Sequence, residues 1–225
     1  MLDEVQTGLC RTGSFLAAHR YGVEPDMVVL AKALSGGLVP SGALLMSENV
    51  YRSVYGSMKR AIVHTSTYSE NALAMRAGLA TLEVLADEGL AERAERLGEY
   101  VRDRLRASLA GYEMVKEVRG AGLMNGIEFC VPRQLWLRMA WEAFRKIHPG
   151  MFGQMMVMRL FSDKNLLTQI CGNNFLVLKV APPLVVDEGQ VDEFVAGVRA
   201  VVEAAHSSRT FWSDALQLAR RAVNL

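Results

Sequence analysis

The sequence predicts an α/β protein, and three successive patterns indicate it. Residues 28–31 and 41–46 are short apolar runs joined by a turn rich in glycine and proline, which is typical of two buried strands. Residues 70–110 are rich in Ala, Leu, Glu and Arg with apolar positions every three or four residues, which predicts two long helices broken near residues 87–89. Residues 114–205 then alternate between strand and helix patterns, which predicts a smaller mixed unit.

The individual elements of this smaller unit follow from period and turn residues. The alternation around Gly120 and Gly122 predicts two strands, and the amphipathic stretch with a turn at residues 148–150 predicts two helices. Asp187 is placed to cap a final helix. The predicted segments are a helix and then a loop over 49–60, strands within 114–129, helices within 132–159, a strand, turn and strand over 166–180, and a helix over 187–205.

Composition excludes several classes of function. The 225 residues carry a net charge of +1, with 51% hydrophobic and 22% charged residues, so no charge excess favours nucleic acid or an anionic membrane. Three cysteines without C-x-x-C spacing argue against a disulfide framework or a zinc site, and favour free thiols in the cytoplasm. The stretch 27–46 is apolar, but its Gly and Pro residues favour strands and a turn over a membrane span.

One lysine and one aspartate carry the chemical signal. Lys32 follows an apolar run in DMVVLAKALSGG, and apolar surroundings make an amine more easily neutral and nucleophilic. Asp3 lies upstream in LDEVQTG. A lysine amine that forms a Schiff base and a carboxylate that keeps a pyridine nitrogen protonated are what pyridoxal phosphate requires. The alternative for Lys32 is a surface lysine in a loop between a strand and a helix. The alternative for Asp3 is an exposed acidic residue without a chemical role.

Five segments, in order along nearly the whole chain, carry a resemblance to a known family. They are LDEVQTGLCRTG (2–13), PDMVVLAKALSGG (25–37), HTSTYSENALA (64–74), VRGAGL (118–123) and KVAPPL (179–184). Together they closely resemble the class III aminotransferases, which are pyridoxal-phosphate enzymes of fold type I.

The resemblance implies an architecture and an activity. Residues 1–85 would be the C-terminal half of the cofactor-binding large domain, with its mostly parallel sheet. Residues 86–206 would be the small α+β domain, and 207–225 a tail helix. The implied function is transfer of an amino group from an amine or amino acid to a 2-oxo acid. The implied assembly is a homodimer with shared active sites, located in the cytoplasm. A related decarboxylase or aminomutase is an alternative.

The resemblance also implies roles for individual residues. Lys32 would hold pyridoxal phosphate covalently and move a proton during the reaction, and Asp3 would pair with the pyridine nitrogen. Gln6 resembles the glutamine near the 3-hydroxyl oxygen and favours aminotransferases over aminomutases. Ser66 and Thr67 precede a predicted helix, and the resemblance implies that they bind phosphate there. Thr67 would bind the phosphate of the partner subunit's cofactor. Their spacing alone favours the alternative that they only cap the helix.

Lys179 departs from the family pattern. Many family members that act on amino acids have arginine directly before Ala-Pro-Pro-Leu, and a guanidinium binds a carboxylate through two parallel hydrogen bonds. Lysine there leaves room for an amine, an ω-amino group or a larger amino compound as donor. The alternative is that Lys179 only faces solvent. For Arg119, the two interpretations are that it orients a loop near the site or that it caps a turn, and the structural role is favoured.

The resemblance covers only the latter part of a family member. We expect the glycine-rich phosphate loop, the aromatic residue that stacks on the cofactor and the first substrate-binding segment to lie upstream of Met1. The chain is therefore expected to be a fragment or truncated product. A catalytically incompetent remnant that persists as a structural or dimer-forming protein is the alternative function from another class.

Overall fold

A computed structural model describes residues 1–213, and the chain divides into two compact units, Met1–Arg96 and Leu97–Leu225. The predicted domain bounds of 1–85 and 86–206 stay a prediction. Residues 209–213 of the predicted tail helix are helical, and its remainder lies outside the described residues.

The first unit contains a three-stranded sheet that follows the order of the sequence. Its strands are β1 (Leu2–Asp3), β2 (Met27–Ala31) and β3 (Gly42–Met46). β1 and β2 are parallel, whereas β2 and β3 are antiparallel. The two strands predicted from apolar runs are confirmed as β2 and β3, and β1 was not predicted.

Helices of the first unit follow the predicted pattern with one addition. They are α1 (Ala17–Arg20), α2 (Glu48–Tyr55) and α3 (Ala72–Asp87), with 3-10 turns at Lys32–Ser35 and Met58–Arg60. A fourth helix, α4 (Leu90–Leu109), begins in this unit. The predicted break between the long helices is confirmed, because Gly89 takes a left-handed backbone with φ of 58° that stops α3. α1 is a single short turn and was not predicted.

The sheet of the first unit is covered unevenly. Val28 and Leu30 of β2 are buried with Leu16 and Ala18, and Leu2 packs against this cluster. β3 forms one edge of the sheet, and two consecutive residues of this strand, Leu44 and Leu45, are 48% and 50% exposed. Because successive side chains of a strand point to opposite faces, both faces of this edge are open within the described residues.

The second unit contains the elements β4 (Val115–Ala121), β5 (Met124–Phe129), α5 (Leu135–Ile147), α6 (Met151–Lys164), β6 (Gln169–Ile170), β7 (Val177–Val180) and α7 (Glu188–Ser207). Its strands form an antiparallel sheet with the order β4-β5-β7-β6. α7 starts at the predicted Asp187, whose side chain accepts from the Gln190 backbone while the Gln190 side chain accepts in return. The strand and helix types predicted for residues 114–205 are confirmed.

Aromatic side chains fill much of the core of the second unit. Trp141 of α5 lies 4.1 Å from Phe152 of α6 between ring centroids, and Phe152 also meets Phe129 of β5 edge-on at 5.2 Å. The Trp212 indole N–H donates to the Ala205 carbonyl at 2.7 Å, which satisfies the polar group of a buried ring. The Trp- and Met-rich stretch after β5 is thus part of the core of this unit.

One backbone contact in the second unit predicts a strong effect on stability. A Cβ atom on Gly98 of α4 would overlap the carbonyl oxygen of Gly122 in the β4–β5 turn. We therefore expect Gly98→Ala to lower the free energy of unfolding by about 3 kcal/mol, although alanine is the better helix former. Denaturant unfolding measures this, and Gly111→Ala is the control because a Cβ there meets nothing within 4 Å. Equal stability of the two variants would contradict the contact.

Among residues 1–213, every helix is too short or too polar to span a lipid bilayer. No group of three or more His, Cys, Asp or Glu side chains in the same residues is arranged to hold a metal ion.

Candidate active site

Asp3 and Lys32 lie at the same edge of the first sheet. Strand pairing places Leu2 beside Val28 and Asp3 beside Val29, and Lys32 directly follows β2. The carboxyl ends of parallel strands meet at one edge, where α/β proteins commonly bind their ligands. The structure therefore brings together the two residues that the sequence singled out.

Asp3 is exposed on the sheet face opposite the apolar cluster. Leu2 turns toward Leu30 and its neighbours, and the strand alternation sends Asp3 to the other side. Asp3 Oδ1 accepts a hydrogen bond from the Val5 backbone N–H at 3.0 Å. This bond orients the carboxylate, while its remaining lone pairs are available to a ligand.

Lys32 has an unusual backbone conformation. Its φ is 50°, in the left-handed region that side chains rarely occupy, and it opens the 3-10 turn Lys32–Ser35. Such strain costs about 1 kcal/mol or more and is concentrated at functional sites. The expected apolar surroundings are not found, since Lys32 is exposed. The buried residues of β2 alternate, and the chain turns outward where the strand ends.

Gln6 lies in the turn that follows β1 and is exposed. This turn is tightly built, because a Cβ on Gly8 would lie 2.9 Å from both the Glu4 carbonyl oxygen and a Leu30 methyl group. Leu9 and Cys10 also have positive φ values, of 57° and 69°. The candidate site residue Gln6 therefore lies in a turn of defined shape that directly follows Asp3.

Glu4 is the residue that sequence reasoning missed. It is 3% exposed, and its Oε1 accepts the Ala18 backbone N–H of α1 at 2.8 Å, while Oε2 accepts the Thr7 hydroxyl. The available sequence signal was an acidic residue with a threonine three positions later, a spacing that lets the hydroxyl donate to the carboxylate.

Ser66 and Thr67 lie in an exposed loop between Met58–Arg60 and α3. The N-cap of α3 is Asn71, whose Oδ1 accepts the Ala74 N–H at 2.9 Å. Ser66 instead accepts the Tyr68 N–H at 3.4 Å within the loop. The helix-cap interpretation of Ser66 and Thr67 is therefore wrong, because the helix begins later than the hydroxyl residues.

Lys179 belongs to the second unit. It lies on β7 between Gly126 of β5 and Gln169 of β6, and it is half-buried. It contributes to the lining of a cavity of about 240 Å³ together with Thr168, Pro182, Pro183 and Gln190. Lys179 is thus not a freely solvated surface lysine.

Two other residues have structural explanations. Arg119 of β4 forms ion pairs with Glu117 and with Glu128 of β5, in agreement with a structural role. Hydrogen bonds from Lys116 and then from Arg119 hold the pKa of Glu128 below its usual range. These pairs stabilise the strand pairing.

The cysteines show no reactive arrangement among the described residues. All three are free, with Cys10 buried and Cys130 and Cys171 half-buried, which confirms the prediction of free thiols. Burial, and then the nearby Glu92 charge, raise the pKa of the Cys10 thiol. Cys10 is therefore a protonated core residue at neutral pH.

Known proteins resemble the chain closely. The protein-family model described as aminotransferase class-III matches residues 1–202 of this chain. An acetylornithine aminotransferase from Methanothermobacter thermautotrophicus is 46% identical over 57% of this chain and 31% of its own length. The ornithine aminotransferase of Toxoplasma gondii, described with partial occupancy of pyridoxal phosphate in its active site, is 33% identical with a TM-score of 0.75, over 92% of this chain and 44% of its own.

A third relative extends the likeness to another kind of enzyme. An (S)-enantioselective omega-transaminase from Thermomicrobium roseum is 29% identical with a TM-score of 0.77, over 91% of this chain and 43% of its own. The predicted fold class is confirmed by these likenesses. The chain spans less than half the length of each of these relatives.

Proposed function

Because this chain belongs to the class-III aminotransferase family, we propose that it acts in pyridoxal-phosphate-dependent transamination, moving an amino group from a donor to a 2-oxo acid. One observation carries the proposal: a lysine with a strained backbone and an oriented aspartate lie at the carboxyl edge of two adjacent parallel strands. This is the edge at which such a cofactor binds.

The donor set fits pyridoxal phosphate. The amine of Lys32 can hold an aldehyde covalently, the carboxylate of Asp3 can pair with a protonated ring nitrogen, and Gln6 can donate to a phenolic oxygen. Ser66 and Thr67 offer hydroxyls for phosphate. Bound pyridoxal phosphate supplies an electron-withdrawing ring that stabilises negative charge on the substrate carbon next to nitrogen.

Lys32 and Asp3 have complementary tasks in this mechanism. With pyridoxal phosphate bound, the Lys32 amine would act as the base that takes a proton from the substrate carbon next to nitrogen, and then as the acid that gives this proton back. The Asp3 carboxylate would hold a proton on the ring nitrogen, and the hydrogen bond that it accepts from the Val5 N–H orients it. Exposure of Lys32 in this chain leaves its amine accessible to an incoming aldehyde.

A homodimer with shared sites is part of the proposal. α3 buries only a narrow stripe, while Leu73 and Leu79 are 68% and 54% exposed, and Met75 and Leu82 are exposed beside them. A helix that is apolar on most of its surface is normally covered by other protein. Ser66 and Thr67 precede this helix, so a second copy packed there would bring its cofactor phosphate near their hydroxyls.

The amino donor is proposed to be an amine, an ω-amino compound or a larger amino-bearing metabolite. The support is Lys179, whose ammonium cannot form the bidentate contact that a guanidinium makes with a carboxylate. The relative named as an omega-transaminase is consistent with a donor amine independent of an α-carboxylate. The unpaired cysteines are consistent with a reducing compartment, and we place the protein in the cytoplasm.

A non-catalytic structural role is the second candidate, because Lys32, Ser66 and Thr67 are all exposed in this chain. The deciding experiment adds pyridoxal phosphate to the complete gene product and follows the visible absorption of the bound cofactor. A transaminase converts this band when an amino donor is added and restores it with a 2-oxo acid. A band that no donor alters supports the non-catalytic role, and release of carbon dioxide would identify a decarboxylase.

Lys179→Arg should change donor preference. We expect kcat/KM for α-amino acids to rise by about tenfold relative to diamines, because a bidentate hydrogen bond to the carboxylate becomes possible. Donor-specific kcat/KM measures this in the complete gene product. Lys116→Arg is the matched control, since Lys116 lies on the same sheet but pairs with Glu128. The same donor preference in both variants would place Lys179 outside the substrate site.

A further inference from the structure

Glu4 is a buried acidic residue whose side chain and backbone together make four hydrogen bonds. Its carboxylate accepts from the Ala18 N–H and the Thr7 hydroxyl. Its backbone N–H donates to the Val29 carbonyl at 3.0 Å, and its carbonyl accepts the Gly8 N–H at 2.9 Å. One residue therefore connects the end of β1 with β2, with the following turn and with α1.

A buried carboxylate is an expensive choice at such a place. Removal of a carboxylate from water costs several kcal/mol unless donors compensate, and an apolar residue of similar volume often gives equal or greater stability. General stabilisation of the first unit is therefore a poor explanation for Glu4. A requirement for one defined geometry is a better explanation.

The segment that needs this geometry is short. β1 has only two residues, so its pairing with β2 alone fixes few backbone hydrogen bonds. Asp3 and Gln6 flank Glu4 along the chain, and the Glu4 side chain is anchored to α1 rather than to the sheet. Without that anchor, the turn from Asp3 to Gly8 would be free to separate from α1.

We propose that Glu4 is a positioning residue that holds the Asp3–Gln6 turn in place against α1, and thereby sets the direction of the Asp3 carboxylate. Its functional consequence rests on the proposed function, in which Asp3 pairs with the cofactor's ring nitrogen. The anchoring itself is a property of this chain without any cofactor.

The two kinds of substitution at Glu4 separate geometry from charge. In Glu4→Gln, the amide oxygen can accept the Ala18 N–H and the amide nitrogen can donate to the Thr7 hydroxyl oxygen, because a hydroxyl both donates and accepts. In Glu4→Ala both contacts are lost. A positioning role therefore predicts that glutamine substitutes for glutamate and alanine does not.

Amide hydrogen exchange of the chain, without cofactor, reads the geometry directly. Three amides report on the three connections: Ala18 on α1, Gly8 on the turn, and residue 4 on its pairing with Val29. We expect all three to exchange about tenfold faster or more in Glu4→Ala, since both side-chain hydrogen bonds that anchor the turn to α1 are lost. Glu4→Gln and the control Glu24→Ala, at an exposed position, should exchange as the wild type does.

Two outcomes would overturn the proposal. Faster exchange of Ala18 alone would show that Glu4 anchors α1 and leaves the turn unaffected. Equal effects of Glu4→Gln and Glu4→Ala would show that charge, and not geometry, is required. Failure of the proposed function would give a different result. The Glu4 variants would still show the expected exchange rates, but Lys32→Ala would leave amino transfer intact. In the complete gene product, kcat should follow the exchange pattern, lowest for Glu4→Ala.

Discussion

Lys32→Ala should abolish amino transfer by the complete gene product, with a loss of about 10³-fold or more in kcat. The amine is the proposed covalent attachment point and also the base, and loss of a general acid–base group alone typically costs 10²–10⁴-fold. Single-turnover amino transfer from a good donor measures the effect. Borohydride treatment of the wild type, followed by peptide mapping, should locate the cofactor on the peptide that contains Lys32.

The left-handed backbone of Lys32 allows a sharper control. Alanine retains the strain at φ of 50°, whereas glycine adopts this conformation without a Cβ clash. Lys32→Gly should therefore be more stable than Lys32→Ala by about 1 kcal/mol while being equally inactive. Denaturant unfolding of both variants tests this. Lys59→Ala, at another exposed lysine, should affect neither activity nor stability.

The assignment has clear points of failure. A reduced adduct on another lysine, or kcat of Lys32→Ala within tenfold of the wild type, would reject Lys32 as the attachment point. Equal stability of the glycine and alanine variants would instead reject the strained backbone and leave the chemical role standing. The two measurements therefore test different statements about the same residue.

Asp3→Asn should lower kcat by about 10²–10³-fold and weaken cofactor binding much less. The carboxylate is proposed to keep the ring nitrogen protonated, and loss of a comparable electrostatic group costs several kcal/mol in the transition state. Asparagine retains an oxygen that can accept the Val5 N–H, so the turn should keep its shape. Steady-state kinetics and cofactor titration of the complete gene product separate the two effects.

Asp3→Ala is the informative companion variant. It removes both the charge and the Val5 hydrogen bond, so any additional loss of cofactor binding beyond Asp3→Asn reports the contribution of the turn. Glu24→Gln removes a carboxylate at an exposed position of the same unit and should leave kcat unchanged. Turnover of Asp3→Asn close to the wild type would refute the proposed role of Asp3.

The long elements were predictable because their patterns are local. α3, α4 and α7 have many apolar positions at helical spacing, and Asp187 has the residue type of an N-cap. β2 and β3 are apolar runs bounded by turn residues. In each case the information lies within the segment, so no knowledge of distant neighbours was needed.

The missed features depend on contacts between distant segments. β1 has two residues, too few for a period, and exists because it pairs with β2. Glu4 is buried only because α1 presents the Ala18 N–H to it, and its sequence neighbours do not reveal this. Asn71 follows Ser66 and Thr67 by five and four residues, all three are N-cap types, and only the observed start of α3 distinguishes them.

The candidate site was predictable to a similar degree. Asp3 and Lys32 could be named because their residue types match a specific chemistry, and the parallel pairing of β1 with β2 places them at one edge. The positive φ of Lys32 and its exposure could not be predicted from an apolar flank. They depend on how the chain leaves β2, which no side-chain pattern encodes.

The open edge formed by β3 has a practical consequence. Five residues of apolar backbone, without an internal Pro or charge and with Leu44 and Leu45 exposed, present free hydrogen-bonding groups to any other extended chain. Preparations of the isolated chain should therefore lose material through strand addition between molecules, faster at higher protein concentration, before the fold itself melts. The shelf life of the protein would then depend on its concentration and on whether the β3 edge is covered, and the melting temperature would be a poor guide to it.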